Sequence, residues 1–159
     1  MPLFADISDA VWLGLFGLII AVVSKYIDYR QAIKLAEHDP TACIELLRPV
    51  TPYDLAMSDS FDNVYPAYLR GLAYLQLKKG DLAAAEFRKV LDHSGVVQGF
   101  VTGALSILQL GRAQVLMHDE ESARKSYEDF LALWKNADPD LPIYKEAKAE
   151  FAALRKKAQ

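Results

Sequence analysis

The chain has 159 residues, of which 52% are hydrophobic and 25% charged, and its formal net charge is −3 at pH 7. This length predicts one domain with a short appendage, and it allows a core to form without a disulfide or metal staple. The acidic balance and the lack of a basic stripe interleaved with aromatic residues argue against a nucleic-acid partner. The single cysteine, Cys43, has no partner for an internal disulfide, so nothing indicates an oxidising compartment.

The first predicted element after a tail of residues 1–8 is an apolar helix over residues 9–30. No residue from Ala10 to Val23 is charged. As a helix this run covers about 21 Å, less than the roughly 30 Å hydrocarbon core of a bilayer, whereas residues 7–27 cover about 31 Å. The run is apolar on every face, unlike the amphipathic outer helix of a thin repeat protein. We therefore predict a transmembrane helix. Burial against the repeats or in a homodimer is the alternative.

Small and aromatic residues of this helix also fit a bilayer. Small residues four positions apart allow close packing of helices in lipid. The predicted packing residues are Ala10, Gly14, Gly17 and Ala21. Aromatic and basic residues concentrate at membrane interfaces. The predicted interface residues are Trp12, Lys25, Tyr26 and Tyr29.

The charges that flank the apolar run predict its orientation. Asp6 and Asp9 precede the run, whereas Lys25, Arg30 and Lys34 follow it. The positive-inside rule then places the N-terminus outside and the rest of the chain in the cytoplasm, as a single-pass protein of the cytoplasmic membrane. The first nine residues contain no Lys or Arg, so the basic region of a secretory signal peptide is missing and we expect the helix to stay attached.

Residues 31–159 contain an internal repeat with a period of 40 residues. A small residue recurs in the segments 39–50, 81–93 and 119–134, and a large residue follows it one helical turn later. The small residues are Cys43, Ala83 and Ala123, and the large ones are Leu47, Phe87 and Tyr127. Small residues in two antiparallel helices let them approach closely, and the large residue fills the groove beside them.

The helices that precede two of these segments repeat as well. Gly71 in "YLRGLAYLQLKKG" aligns with Gly111 in "LQLGRAQVLMHD". Between the units, residues 48–66 contain three prolines and residues 93–103 contain three glycines, so both are predicted as loops.

The C-terminal segment is predicted to cap the repeats. Pro142 suits the first turn of a helix. Apolar residues follow at steps of three and four, at Ile143, Ala147, Phe151 and Leu154. The charged residues Lys145, Lys148, Glu150, Arg155 and Lys156 lie away from this stripe and are expected to face water. A polar outer face on the last helix keeps an open solenoid soluble.

This pattern resembles the tetratricopeptide repeat (TPR), a helix–turn–helix unit of about 34 residues with glycine, alanine and aromatic markers. The resemblance implies an all-α fold in which a short TPR-like solenoid, preceded by the single apolar helix, has one degenerate unit, two fuller units and a capping helix. Residues 31–159 would form this domain.

Three strings resemble the C-terminal repeat region of large bacterial serine/threonine kinases of acidobacterial type. They are "VYPAYLRGLAYLQLKKGDLAAAEFRKVLDH", "ALSILQLGRAQ" and "YEDFLALWKNADPDLPIYKEAKAEFAALRKKAQ". The likeness covers residues 32–159 and includes none of the kinase motifs. The resemblance implies a helical-repeat fold in a bacterial setting, and nothing catalytic. Together with the predicted transmembrane helix, the bacterial setting gives an expected location in the inner membrane.

No residue pattern in the chain predicts catalysis, a cofactor site or a metal site. His38, His93 and His118 fit turns or helix ends and lack the spacing of a helical metal site. Cys43 occupies the small-residue position of the repeat, so packing accounts for it. We therefore expect a protein that is not an enzyme and that has neither a cofactor nor a small-molecule substrate.

Binding of another protein is the expected role, because stacked helical repeats present a concave surface formed largely by first helices. The residues predicted for this face are Tyr65, Tyr68, Tyr74, Gln76, Lys78, Gln109, Arg112 and Gln114. The expected function is that of an accessory or scaffold subunit of a bacterial membrane complex, whose partners are other protein subunits, their transmembrane helices and the lipid bilayer. The alternative is a soluble TPR module whose apolar helix is buried in a homodimer.

Overall fold

The computed structural model describes residues 29–54, 64–93 and 101–157, and within these ranges it is all-α, with no strand. The helices of the described ranges are α1 (Tyr29–His38), α2 (Pro40–Leu47), α3 (Tyr65–Gln76), α4 (Gly80–Asp92), α5 (Val101–Leu116), α6 (Glu120–Leu133) and α7 (Pro142–Lys157). A 3₁₀ segment, Arg48–Tyr53, follows α2 directly. The all-α prediction is confirmed for this part of the chain.

Most of the predicted transmembrane helix lies outside the described residues. The structure does not describe residues 1–28. They include the predicted packing and interface residues Ala10, Trp12, Gly14, Gly17, Ala21, Lys25 and Tyr26. Tyr29 is the first residue of α1. Among the helices that the structure does describe, none is both long and apolar enough to cross a bilayer.

Helices α1 to α6 form three hairpins that stack on one another. The two helices of each hairpin pack together, and the second helix also packs on the first helix of the next hairpin. A β-carbon on Gly80 would lie 2.8 Å from the carbonyl oxygen of Ala113, so the start of α4 is beside the end of α5. The first helices α1, α3 and α5 also contact one another in chain order, and α7 packs on α6.

Two of the hairpin turns use a left-handed residue that is not glycine. Lys78 has φ 58° and His118 has φ 60°, and these positions are 40 residues apart. The next residue donates its N–H back to the last turn of the preceding helix, from Lys79 to Tyr74 at 2.9 Å and from Asp119 to Gln114 at 3.0 Å. This 6→1 bond is the mark of a Schellman turn, which ends the first helix and reverses the chain.

Aspartates begin two of the second helices. The Asp39 carboxylate accepts from the Ala42 N–H at 3.0 Å, and the Asp119 carboxylate accepts from the Ser122 N–H at 3.1 Å. Hydrogen bonds from the Ser122 side chain and backbone hold the pKa of Asp119 below its ordinary value. These N-caps satisfy backbone donors that the first turn of a helix leaves free.

The small and large residues of the repeat meet inside the hairpins. Cys43, Ala83 and Ala123 are fully buried, and each has its large partner buried on the same helix. A β-carbon on Gly71 would lie 2.6 Å from the Phe87 ring, and one on Gly111 would lie 3.2 Å from the Tyr127 ring. The predicted close packing of small residues between paired helices is confirmed in these two hairpins.

Two helices begin earlier than predicted. Helix α3 starts at Tyr65 and helix α5 at Val101, both inside segments predicted as loops. Pro66 is tolerated because it falls in the first turn of α3, where the N–H has no helical partner. Gly103 lies within the first turn of α5 and not in a loop.

The capping helix begins at Pro142, as predicted. Ala147 and Leu154 are buried, and the other two apolar positions pack against the same core. Glu150, which was expected to face water, is only partly exposed, because its side chain accepts hydrogen bonds from Arg112 and Tyr127. The reason is that α7 turns a second face toward α5.

We expect Gly71→Ala to lower the free energy of unfolding. Its β-carbon would lie within 2.7 Å of two Phe87 ring atoms, and such overpacking costs about 1–3 kcal/mol, which exceeds the gain of about 1 kcal/mol in helix propensity. Gly111→Ala is the matched control, because its closest contacts are at 3.2 Å and the propensity gain offsets them. Urea denaturation measures both, and equal effects would contradict this account.

Lys78→Gly is expected to stabilise the fold by about 0.5–1 kcal/mol, because glycine adopts positive φ without the penalty of a β-carbon. Lys125→Gly is the control. Lys125 is exposed in the middle of α6, where glycine lowers helix propensity and should destabilise by about 1 kcal/mol. Thermal unfolding of the two variants should shift in opposite directions.

Candidate functional site

A groove of about 490 Å³ lies across the C-terminal parts of α1, α3 and α5. Its apolar lining consists of Ile33, Ala36, Leu69, Leu72, Leu75 and Leu116. Its polar lining consists of Glu37, Gln76, Lys78, Gln109 and Arg112. Because the ends of three first helices border one groove, these helices run in the same direction. This groove is the candidate functional site.

The apolar residues form the floor of the groove. Leu69 is 1% exposed, and Leu72 and Leu75 are partly buried against the core of the first two hairpins. The floor is therefore held by the same packing that stabilises the hairpins, and it is preformed. Binding clefts in proteins have volumes of roughly 300–1,000 Å³ and combine such apolar walls with a few polar groups.

Arg112 is held by the capping helix. Its Nε donates to Glu150 Oε2 at 3.0 Å and its Nη2 donates to Glu150 Oε1 at 2.8 Å, which is a bidentate pair. Glu146 accepts a further bond from Nη2 at 3.2 Å, and the Tyr127 hydroxyl donates to Glu150 at 2.7 Å. Burial opposes the charge of Arg112, but the bonds to Glu150 and its charge prevail and raise the Arg112 pKa. The positive charge of the Arg112 guanidinium is thus balanced by carboxylates at the groove wall.

Gln109 links the Arg112–Glu150 pair to Tyr68 in the second hairpin. Its side-chain oxygen accepts from Arg112 Nη1 at 3.4 Å, and its amide hydrogen-bonds the Tyr68 hydroxyl. Tyr68 is 7% exposed, and its ring meets Phe87 edge-on at 5.9 Å. Burial raises the pKa of Tyr68, with the Gln109 bond acting in the opposite direction. Tyr68 therefore connects Gln109, which lines the groove, to the core of the second hairpin.

The structure brings together four of the eight residues predicted for the concave face. Gln76, Lys78, Gln109 and Arg112 line the groove. Gln114 is buried and accepts a hydrogen bond from the Ser126 hydroxyl at 2.7 Å, so it lies between α5 and α6. The three tyrosines pack into the first core, with Tyr68 buried and Tyr65 and Tyr74 partly buried.

The contribution of α1 was not predicted from the sequence. Ile33 and Glu37 are four residues apart and share one helix face, beside the buried Ala36. The prediction followed glycine markers of the later repeats, which α1 lacks. An amphipathic pattern over residues 29–38 was the available signal.

A buried ion cluster, which shares no residue with the groove lining, joins the end of the 3₁₀ segment to the second hairpin. Arg70 Nη2 donates to Asp54 and, at 2.9 Å, to Glu86. Lys89 Nζ donates to both Glu86 oxygens at 3.1 Å and to Asp54 at 3.4 Å. The side chains of Arg70 and Asp54 are 3% and 4% exposed. Burial opposes the charge of Arg70, but hydrogen bonds and charge interactions with Glu86 and Asp54 raise the Arg70 pKa, so the guanidinium stays charged.

Cys43 is buried inside the first hairpin, and His93 lies at the end of α4. Burial raises the pKa of the Cys43 thiol to about 11, against the opposing charge of Arg70, so little thiolate forms near neutral pH. His93 Nδ1 lies 2.8 Å from the Lys89 carbonyl oxygen at the end of α4. Across residues 29–54, 64–93 and 101–157, no three His, Cys, Asp or Glu side chains group as metal ligands would.

Arg70→Met is expected to destabilise the protein by about 3–5 kcal/mol, because it leaves the buried Asp54 and Glu86 carboxylates without their main counter-charge. Arg48→Met is the matched control. Its partner Glu45 and its own guanidinium are exposed, and such pairs contribute at most about 1 kcal/mol. Urea denaturation of both variants tests this, and similar midpoints would contradict it.

No protein family, curated protein or solved structure matches this chain.

Proposed function

We propose that this chain is a membrane-anchored, non-enzymatic TPR-like protein that holds a segment of a partner protein in the groove between α1, α3 and α5. The observation that carries the proposal is the groove itself. The groove has a polar rim and an apolar floor that packs against the hairpin cores. It lies on the side of the domain where α1, α3 and α5 contact one another.

The TPR-like assignment is supported by features that recur at 40-residue spacing. The glycines that admit an aromatic ring, Gly71 and Gly111, occupy matching places in two hairpins. The left-handed residues Lys78 and His118 close the corresponding turns. In helical-repeat proteins the concave surface formed by the first helices binds extended partners.

The rim of the groove favours particular chemistry in a partner. Lys78 is exposed and forms no ion pair in the described part of the chain, and Gln76 beside it is exposed as well. Arg112 is already paired with Glu150 and cannot offer its charge. A partner segment with one or two large apolar side chains and an acidic residue near Lys78 would fit. Burying one such apolar side chain contributes about 1.5–3 kcal/mol.

The membrane anchor in this proposal rests on the sequence. The uncharged run from Ala10 to Val23, with acidic residues before it and basic residues after it, supports a single crossing with the repeats in the cytoplasm. An accessory or scaffold subunit of a bacterial inner-membrane complex would use the anchor to join other transmembrane helices and the groove to hold a cytoplasmic segment.

Selection from a peptide library on the full-length protein tests the groove. We expect selected peptides to contain apolar and acidic residues, and Gln76→Trp to weaken their binding at least about tenfold, or about 1.4 kcal/mol, by filling the groove. Glu128→Trp, exposed on α6 and away from the groove lining, is the control and should bind as the parent does. Peptides that bind Gln76→Trp unchanged, or no selection at all, would refute the groove as the site.

Carbonate extraction tests the anchor. The full chain should stay in the membrane pellet, and Leu18→Asp should move it to the supernatant, because a charge at the centre of a transmembrane helix is costly. A parent chain that is fully soluble, and a dimer that Leu18→Asp dissociates, would instead support the soluble homodimer.

A further inference from the structure

The stacked hairpins have two unlike edges. The turns at Lys78 and His118 lie at one edge, where the first helices end and the second helices begin. At the opposite edge α1, α3, α5 and α7 begin, and α4 and α6 end. We call this the N-terminal edge, because α1 enters the domain there at Tyr29.

The two most exposed large apolar side chains of the described residues, Leu133 and Val101, lie at the N-terminal edge. Leu133, at the end of α6, is 60% exposed, and Val101, at the start of α5, is 56% exposed. Leu141, just before α7, is 37% exposed. Since α5 packs on α6 and α6 leads directly into the turn before α7, these three residues occupy neighbouring helix ends. Exposed apolar residues that cluster in this way mark interaction surfaces.

Trp134 adds an interfacial residue to the same patch. It follows Leu133 directly, and its ring lies 5.0 Å from that of Phe130 while remaining only partly buried. Tryptophan has an apolar ring and a polar N–H, and it concentrates where lipid headgroups meet hydrocarbon.

The N-terminal sequence determines what this edge can reach. Only residues 24–28 separate the end of the apolar run at Val23 from Tyr29. A fully extended connection of this length spans about 20 Å. An apolar run inserted in a bilayer therefore tethers the N-terminal edge, where α1 begins, within about 20 Å of the end of the run.

We propose that the N-terminal edge lies against the lipid bilayer and that Val101, Leu133, Trp134 and Leu141 enter its interfacial region. This inference rests on the membrane anchor of the proposed function. The inference also orients the domain. The groove lies across the C-terminal parts of the first helices, so it would be nearer the edge that faces away from the lipid.

The charges near the patch indicate how it would bind. Lys145 is paired with Asp140 at 2.8 Å, and Lys135 and Asp138 are exposed nearby. Among the described residues beside the patch, these two lysines and two aspartates balance in charge, so apolar insertion and not attraction to anionic lipid would hold it. Binding should therefore occur on a neutral phosphatidylcholine surface and depend little on salt.

The two tryptophans of the chain provide separate reporters for the anchor and the edge. Trp12→Phe leaves Trp134 as the only tryptophan, and Trp134→Phe leaves Trp12. Each full-length variant is reconstituted in phosphatidylcholine vesicles that contain brominated phosphatidylcholine, and quenching of tryptophan fluorescence is measured. We expect both tryptophans to be quenched, and Trp134 to be quenched more by bromine near the headgroup than by bromine deep in the acyl chain.

The possible failures are distinguishable. If Trp12 is quenched and Trp134 is not, the anchor stands and the bilayer contact of the N-terminal edge is refuted. If neither is quenched, the anchor and the inference both fail.

A pair of matched variants tests the patch itself in the Trp12→Phe background. Leu133→Ser with Leu141→Ser should reduce quenching of Trp134 at least about twofold, since both side chains would insert beside it. Leu82→Ser with Met117→Ser is the control, because these residues are each 40% exposed but lie at the opposite edge. Equal quenching in the two double variants would overturn the role of the patch.

Discussion

Two helices can approach closely only where their crossing is free of bulky side chains, and the arrangement of this domain depends on that constraint. Gly71 has no space for a β-carbon beside Phe87, and Gly111 has little beside Tyr127. Because the two hairpins close at matching points, they have similar shapes and stack with their first helices side by side. The groove is a consequence of this stacking, since its floor consists of side chains left between first helices that belong to different hairpins.

Apolar packing closes each hairpin, whereas two arginines link elements that are distant in sequence. Arg70 joins the 3₁₀ region to the second hairpin through Asp54 and Glu86, and Arg112 joins the third hairpin to the capping helix through Glu150. An arginine keeps its charge when it is buried, so each needs carboxylates at fixed positions. The polar networks thus specify which elements meet, and the apolar core supplies most of the driving force.

Local periodicity was sufficient to predict the all-α fold, the small packing positions and the start of the capping helix at Pro142. It did not predict the starts of α3 and α5, which lie inside segments predicted as loops. It was less informative about the groove. Gln114 lies two residues beyond Arg112, and a helix turns about 200° over that distance, so its side chain faces α6 instead. The contact between Asp54 and Arg70 joins residues 16 positions apart through an irregular connection, which no helical period can reveal. The tail and apolar segment over residues 1–28 lie outside the described part of the chain.

The buried residues divide into two core clusters. One includes α1 to α4 and reaches Ala113, and the other joins α5, α6 and α7. Leu105 packs against both. A chain divided in this way does not have to open all at once. The third hairpin and the capping helix can open while the first two hairpins keep a shared interior and its buried charges. Native amides of the first two hairpins would then exchange with solvent as one group, separate from those of the third hairpin and the capping helix.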